Sequence, residues 1–414
     1  MNTYTILTIL ITLSAAFAYI NHKFIKMPFV IGLFFLSTLI SLIIIISSKL
    51  WTNYPFEALK NLVHQTNISG FVLNVLLGFL LFAGSLHTDW KHIKQQLNLI
   101  TLYAVGGVLL STVVVAFLFY YACVLFSIQI DFIYCLLFGA LISPTDPIAV
   151  LGILKEADVP QKIETTIVGE SLFNDGVGVV LFIALLETLK SGNGSIEYSR
   201  FGILFLQEAV GGIICGLLLG YVLHLLLKTI DHYQTEILLT IAFVMFGYSF
   251  CSYWHVSGPL AMVVMGLLVG NYRRSEAISS LTEDYVYKFW EVVDVILNAV
   301  LFILIAFVIV IIDFKAWYIY AGLVTILIVL LSRWVVVYSP KLFFPKTVKL
   351  TNKEVKLIVW GGLRGGLSIA LVLSLPDSEA KKIILIITYI CVLFSIIVQG
   401  LTIKKLAKKA RSEN

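Results

Sequence analysis

Thirteen apolar stretches recur along this chain, and most of them are long enough to cross a lipid bilayer as a helix. About 20 apolar residues span the roughly 30 Å of hydrocarbon in a bilayer. Charged residues make up only 13% of the chain, against roughly a quarter of an average soluble domain. The predicted fold class is therefore an all-α polytopic membrane protein, with 1–414 forming a single transmembrane domain. The predicted spans lie near 3–20, 28–48, 70–87, 97–127, 131–153, 163–189, 201–228, 235–254, 257–271, 288–312, 315–338, 355–375 and 381–403.

The positively charged residues predict how these spans are oriented. Lys and Arg favour the short loops on the cytoplasmic side of a membrane. With the N-terminus outside, the inner loops and the basic tail 404–414 carry about three times as many Lys and Arg residues as the outer loops. In this assignment Arg333 belongs to an inner loop, and Arg364 alone falls inside a span. We therefore expect a multi-pass protein of the cell membrane, a bacterial inner membrane, with the C-terminus and its short basic tail in the cytoplasm.

Composition argues against several classes of function. The net charge of +5 comes from short loops between apolar runs, so topology explains it better than binding to nucleic acid. The five cysteines are scattered through apolar segments without the spacing of a metal site or a disulfide framework. His224 and His255 lie at span ends without clustered ligands. We expect no cofactor, no metal beyond a transported cation, and no nucleic-acid partner.

Two of the predicted spans are interrupted by residues that break helices. Span five contains Ser-Pro-Thr-Asp-Pro at 143–147, and span twelve contains Gly-Gly-Leu-Arg-Gly-Gly at 361–366. Because the two spans are seven apart, they enter the membrane from opposite sides. This arrangement is typical of inverted repeats, here spans 4–6 and 11–13. Broken helices in matching positions indicate a transport site near the middle of the bilayer.

Asp146 lies between two prolines in the fifth span. Proline removes backbone hydrogen bonds, and the carbonyl groups that it frees can coordinate a cation. This pattern predicts that Asp146 belongs to the transport site. An alternative is that Thr145 or Asp146 caps a half-helix that has Pro147 in its first turn. The two interpretations are compatible.

Span six carries two carboxylates, an amide and a hydroxyl inside an apolar helix. At about 100° per residue, Ser171 and Asp175 share one side of the helix, and Glu170 and Asn174 form a neighbouring pair on the same arc. Charged groups inside a membrane must face a partner or water. This pattern indicates a binding site, and the alternative is an ion network that only holds the bundle together.

Arg364 also needs a partner, because it is charged and lies deep in an apolar span. We predict that it pairs with Glu170 in a structural ion pair. That pairing would leave the Asp175 carboxylate able to bind a cation or a proton.

Other polar residues are weaker candidates for function. Asp89 follows the third span, and we interpret it as part of a solvated loop or of a funnel through which ions reach the site. Asp294 and Asn298 form an i, i+4 pair in the tenth span. We favour a hydrogen bond between helices for this pair, with a role in transport as the alternative.

The motifs at 143–147, at 169–175 and at 361–367 resemble, in order and spacing, those of the NhaP branch of bacterial cation/proton antiporters, relatives of the eukaryotic sodium/proton exchangers. The resemblance covers the whole chain. It implies a homodimer with a moving core bundle, mainly 97–189 and 315–403, while the remaining spans form a dimerisation scaffold. It also implies a cation held by the Asp175 carboxylate, the Ser171 hydroxyl and the Thr145 carbonyl, with Asp146 and Asn174 in support. In this family the Asn-Asp pair found at 174–175 goes with electroneutral exchange.

One position departs from the family pattern. Many chains of this branch have Phe-Glu-Gly in the third span, where this sequence has Phe82-Ala83-Gly84. The missing glutamate bears on ion selectivity, and Asp89 is a candidate to replace it.

The predicted function is exchange of a monovalent cation for protons, with sodium favoured over lithium and potassium. Asp175 would bind either the cation or protons, and the protein would reorient only when its charge is neutralised. A sodium-coupled symporter of a small organic solute is the alternative, and it would need a second, larger pocket. An intramembrane protease with an Asp146–Asp175 dyad would have no use for a buried arginine. We therefore do not expect an enzyme.

Overall fold

The computed structural model describes residues 3–50, 54–65, 67–146, 154, 159–190, 198–275, 280–312, 316–343, 348 and 350–411. Every regular element within these ranges is a helix. The last part of predicted span five, including Pro147, lies outside them. The helices are α1 (Thr3–Ile20), α2 (Phe29–Leu50), α3 (Tyr54–Gln65), α4 (Ile68–Leu86), α5 (Trp90–Leu125), α6 (Phe132–Ile142), α7 (Gln161–Lys190), α8 (Tyr198–Lys228), α9 (Tyr233–Tyr253), α10 (Gly258–Ser275), α11 (Ser280–Phe307), α12 (Ala316–Phe343), α13 (Asn352–Gly361), α14 (Gly366–Leu373) and α15 (Glu379–Ala407).

The apolar helices confirm an all-helical membrane protein. Ten helices of the described residues are long and apolar enough to cross a membrane, and α13 with α14, bent by 44° at their break, would make an eleventh. Two shorter apolar helices, Phe132–Ile142 and Gly258–Asn271, coincide with predicted spans five and nine. Helix α3, with 12 residues, lies between predicted spans two and three, where no helix is predicted.

Helices from two distant parts of the chain, 90–190 and 316–407, pack against each other. Helix α5 contacts α6, α7 and α12, while α14 contacts α6 and α15. Helices α8, α9 and α10 form a second group, in which α10 also packs closely on α4. Helix α11 contacts α9 of the second group and α14 of the first, so it lies at the boundary between them, and it also packs on α2 and α4.

The two broken segments meet inside the protein. Asp146 N donates a 2.8 Å hydrogen bond to the carbonyl oxygen of Leu363, which links the end of α6 to the α13–α14 break. Helix α15 has a five-residue π turn, Ser395–Gln399, beside the same break. Ser395 Oγ accepts a 2.8 Å hydrogen bond from Arg364 N. These bonds satisfy backbone groups that broken helices leave unpaired where no water can reach them.

Candidate functional site

A cavity of about 470 Å³ extends from the surface to the broken segments. Its surface-exposed end contains residues from the start of α5 and α7, and its inner end contains residues from the two breaks. Its polar lining residues are His87, Thr88, Asp89, His92, Thr145, Asp146, Gln161, Glu164, Thr165, Ser171, Asp175, Asp294, Asn298 and Ser368. The cavity therefore gives polar groups deep in the bundle a route to water.

Helix α7 divides its four predicted site residues between two sides. Ser171 and Asp175, one turn apart, line the cavity. Glu170 and Asn174 line a much smaller pocket on the other side of the helix. Both of these are buried, with 1% of their surface exposed, whereas Asp175 is partly exposed. The pairing expected from helical periodicity is present, and it separates a side that faces the cavity from a side that faces the core.

Thr145 joins α7 to the end of α6. Asn174 Nδ2 donates a 2.9 Å hydrogen bond to Thr145 Oγ1, and Thr145 N donates a 3.2 Å bond to Asn174 Oδ1. Ser171 Oγ donates to the carbonyl oxygen of Thr145. The structure thus brings Thr145, Ser171 and Asp175 together at the inner end of the cavity. It also shows what Asn174 does: the amide holds Thr145 in place from the core side.

Asp146 lines the same cavity as Asp175 and Asp294. Its negative charge acts on both Asp175 and Asp294. The Asp146 side chain packs closely on Gly365, where an added methyl group would lie 2.6 Å from Asp146 Cβ. The alternative role, as cap of a half-helix that begins at 147, concerns residues outside those that the structure describes.

The predicted pairing of Glu170 with Arg364 is wrong. Glu170 binds Arg333 of α12 instead: Arg333 Nη1 donates to Glu170 Oε1, and Arg333 Nη2 donates to Oε2 over 2.9 Å. Arg333 is 5% exposed, so its assignment to an inner loop is also wrong. The physical reason is that Arg333 lies inside α12, five residues before the predicted end of the span, and its side chain turns into the bundle, where it binds Glu170. The sequence signal that could have identified it was its position within an apolar run.

Arg364 holds the broken segments together through backbone oxygens. Its Nη1 donates to the carbonyl oxygen of Ser143 and, over 2.9 Å, to that of Pro144. These carbonyls lie at the end of α6, where the helix leaves them without partners of its own. Arg364 therefore donates to backbone carbonyl oxygens instead of to the carboxylate that the sequence predicted as its partner. The two guanidinium groups and Glu170 surround the small core pocket.

Asp89 lies at the outer end of the cavity. Its Oδ1 accepts a 2.8 Å hydrogen bond from Lys91 N at the start of α5, and its Oδ2 lies 3.6 Å from His92 Nδ1. Asp89 is thus both the N-cap of a helix and part of the cavity lining. This position is compatible with the predicted funnel.

Asp294 and Asn298 differ from the favoured interpretation. Asn298 Nδ2 donates a 3.0 Å hydrogen bond to Asp294 Oδ1 on the same helix, not across a helix interface. Both residues line the cavity. Periodicity places them on one side of α11, but only packing shows that this side faces the cavity.

The other residues named in the sequence analysis, Ala83, the two histidines and the cysteines, are not among the described residues that line the cavity. Ala83 is fully buried, and its neighbour Phe82 packs its ring on Trp290 with centroids 4.8 Å apart. His224 is buried in α8, and His255 follows α9. All five cysteines are buried, and the sulfur atoms of Cys215 and Cys251 lie 3.0 Å apart.

Comparison with known sequences places this arrangement in a family. The family described as "Sodium/hydrogen exchanger, transmembrane" matches residues 11–409. The chain is 44% identical over 406 residues to the Na(+)/H(+) antiporter NhaP of Pseudomonas aeruginosa, covering 96% of this chain and 95% of that protein. It is 38% identical over 354 residues to the Na(+)/H(+) antiporter NhaH of Halobacillus dabanensis, covering 84% of each.

The fold is similar to that of a solved structure. The sodium proton antiporter MjNhaP1 from Methanocaldococcus jannaschii at pH 8 superposes with a TM-score of 0.77 and 21% sequence identity, covering 98% of both chains. At this identity the comparison concerns the fold, and the sequence matches above carry the assignment. With a family match over nearly the whole chain and relatives above 30% identity, this protein belongs to the sodium/hydrogen exchanger family, in its NhaP-type branch.

Proposed function

We propose that this chain exchanges Na⁺ for H⁺ across a membrane, with Asp175 as the shared binding site. One observation carries the proposal: the Asp175 carboxylate lies at the inner end of a cavity, beside two broken helices. Broken helices at a carboxylate are typical of cation sites in secondary transporters. Relatives covering most of the chain are named Na(+)/H(+) antiporters, and none of those described above is named a symporter.

In the cation-bound state, three oxygen atoms bind the ion: a carboxylate oxygen of Asp175, the Ser171 hydroxyl and the Thr145 carbonyl. Hard oxygen ligands suit an alkali cation. Ser171 now donates its proton to the Thr145 carbonyl. The Ser171 hydroxyl must rotate so that a lone pair faces the ion. The ion then replaces the hydroxyl proton as the partner of the Thr145 carbonyl oxygen. Asn174 keeps Thr145 in place during this exchange through its two hydrogen bonds.

Competition between the two substrates produces antiport. A cation or a proton neutralises Asp175, and the neutral site can reorient at a lower cost than the charged one. Because one ion replaces the other at the same carboxylate, exchange is electroneutral. Glu170 does not take part, since Arg333 already neutralises it. Lithium and potassium compete for the same oxygens, with sodium as the main substrate.

The orientation follows from the distribution of basic residues. Thirteen spans, with spans 4–6 and 11–13 as inverted repeats, place the N-terminus outside and the C-terminus in the cytoplasm of a bacterial inner-membrane protein. The outer end of the cavity includes Asp89 and Gln161, which lie in or beside predicted inner loops. In this proposed orientation the cavity opens towards the cytoplasm, which corresponds to an inward-facing state. We further propose a homodimer, in which 97–189 and 315–403 move against the remaining helices.

Replacing Asp175 with asparagine tests the proposal. In everted membrane vesicles, Asp175→Asn should abolish sodium-dependent proton flux, because an amide neither titrates nor offers a charged ligand. Asp377→Asn is the matched control, since the Asp377 side chain is 98% exposed and forms an ion pair with Lys381 outside the cavity. Normal flux in Asp175→Asn vesicles would refute the assignment. A membrane potential generated by turnover in proteoliposomes would refute electroneutrality.

A further inference from the structure

The proposed exchange gives no role to Asp294, one of the carboxylates in the cavity wall. Asp294 lies on α11, is partly exposed, and lines the same cavity as Asp146 and Asp175. Within the described part of the chain, Asp294 forms no ion pair with a basic side chain. The negative charges of Asp146 and Glu291 act on it. An anionic group in a membrane span without a basic partner is costly, so a cation at Asp294 would lower its energy.

Asn298 completes a pair of oxygen atoms at this position. Its Nδ2 donates hydrogen bonds of 3.0 Å to Asp294 Oδ1 and 2.9 Å to the Asp294 carbonyl oxygen. These bonds fix the carboxylate and leave its Oδ2 without a hydrogen bond to any described residue. Asn298 is 1% exposed, and its Oδ1 is a buried oxygen that has no hydrogen-bond partner among the described residues. A buried acceptor without a donor is unfavourable unless an ion or water binds it.

Two contacts of α11 show where Asp294 lies along the cavity. Towards the start of the helix, the Tyr287 ring lies 5.5 Å from that of His87, near the outer end of the cavity. Towards its end, Leu301 packs on Gly366 at the α13–α14 break, with its Cγ 3.0 Å from where a methyl group on Gly366 would lie. Asp294 is seven residues from each, about 10 Å along the helix in both directions. It therefore lies midway between the outer end and the inner site.

We propose that Asp294 and Asn298 form a second, weaker binding site for a monovalent cation, which receives the ion from the outer end and passes it to Asp175. The ion there keeps part of its hydration shell, because the pair offers few ligands and the cavity is open to water. The inference rests on the proposed function, since it assumes that Asp175 holds the transported cation. It assigns no role in proton binding to Asp294.

Transport kinetics with matched variants test the second site. In proteoliposomes, Asp294→Asn should raise the apparent KM for sodium by about tenfold, a change that corresponds to ~1.4 kcal/mol, and should leave the maximal rate close to that of the unchanged protein. Asp294→Glu, which keeps the carboxylate, should keep a KM near the original value. Asp284→Asn removes the same charge from an exposed position ten residues earlier on α11, where the side chain pairs with Lys288, and should leave KM unchanged. An unchanged KM in Asp294→Asn, or an equal rise in Asp284→Asn, would overturn the inference.

A binding measurement separates this inference from the proposed function. In purified Asp175→Asn, sodium should still raise the melting temperature through the second site, and adding Asp294→Asn should abolish the rise. If Asp175→Asn loses exchange but the double variant responds to sodium as the single variant does, the second site is refuted and the proposed function stands. If Asp175→Asn keeps exchange, the proposed function itself fails.

Discussion

Glu170 and Arg333 form a two-point ion pair in the core, although they are 163 residues apart in the chain. The carboxylate is 1% exposed and the guanidinium 6% exposed at their side chains. A third hydrogen bond, from Arg333 Nη2 to the carbonyl oxygen of Ile358 over 3.3 Å, connects the pair to α13. The pair thus connects α7 and α12 to α13, the helix that ends at the break.

Arg333→Ala should lower the free energy of unfolding by about 3–5 kcal/mol, because it leaves the Glu170 carboxylate buried without its partner. Denaturant unfolding of the purified protein in detergent measures the change. Glu170→Gln combined with Arg333→Met should cost less than the sum of the single changes. Asp284→Asn breaks the exposed ion pair with Lys288 and serves as the control, for which we expect little change. Equal effects of the buried and exposed changes would contradict this prediction.

Arg364→Ala should slow exchange and lower the melting temperature together. The substitution removes charged hydrogen bonds to the Ser143 and Pro144 carbonyls, each worth roughly 1.5–3 kcal/mol, and so loosens the end of α6 beside Thr145. Arg364→Lys should retain part of both properties, since an ammonium group can still donate to a carbonyl. Flux assays and thermal unfolding of the same preparations are the measurements. An Arg364→Ala protein with unchanged exchange would show that these bonds do not position the site.

Gly365→Ala should abolish or strongly reduce exchange. The added methyl group would lie 2.6 Å from Asp146 Cβ and 2.8 Å from its Cγ, so the carboxylate would have to move out of the cavity wall. Gly202→Ala is the matched control, because nothing lies within 4 Å of the position of its added methyl group. Within α8 this control should be neutral or stabilising by up to ~1 kcal/mol. Proton flux at saturating sodium distinguishes the two variants.

Acidic conditions should raise the apparent KM for sodium without lowering the maximal rate at saturating sodium. As pH falls, protons occupy Asp175 more often, and sodium must reach a higher concentration to displace them. The direction reverses as pH rises, where sodium meets an ionised carboxylate. Initial rates across a sodium series at several pH values, equal on both sides of the membrane, check this. A sodium KM that stays constant with pH would show that the two ions do not share a site.

The sequence was sufficient to predict the apolar helices and the polar arc on α7. Apolar runs of about 20 residues leave a chain few alternatives to helices, since lipid offers no partner for an unpaired backbone group. Helical periodicity then placed Ser171 with Asp175 and Glu170 with Asn174, as the structure shows. The prolines and glycines of the two breaks were equally visible, because they act on the backbone where they occur.

Only the tertiary structure decided which arginine binds Glu170 and where Asp294 points. Arg333 and Arg364 both border the small core pocket, and the choice between them depends on how α12 packs beside α7. The side of α11 that bears Asp294 and Asn298 could have faced another helix, as the sequence suggested, and instead it faces the cavity. Periodicity fixes relations within one helix, whereas contacts between helices depend on distances between segments far apart in the chain. The sequence by itself therefore determined that carboxylates lie on a polar arc of a membrane helix. The packing of the helices determined which groups these carboxylates contact and which of them reach water.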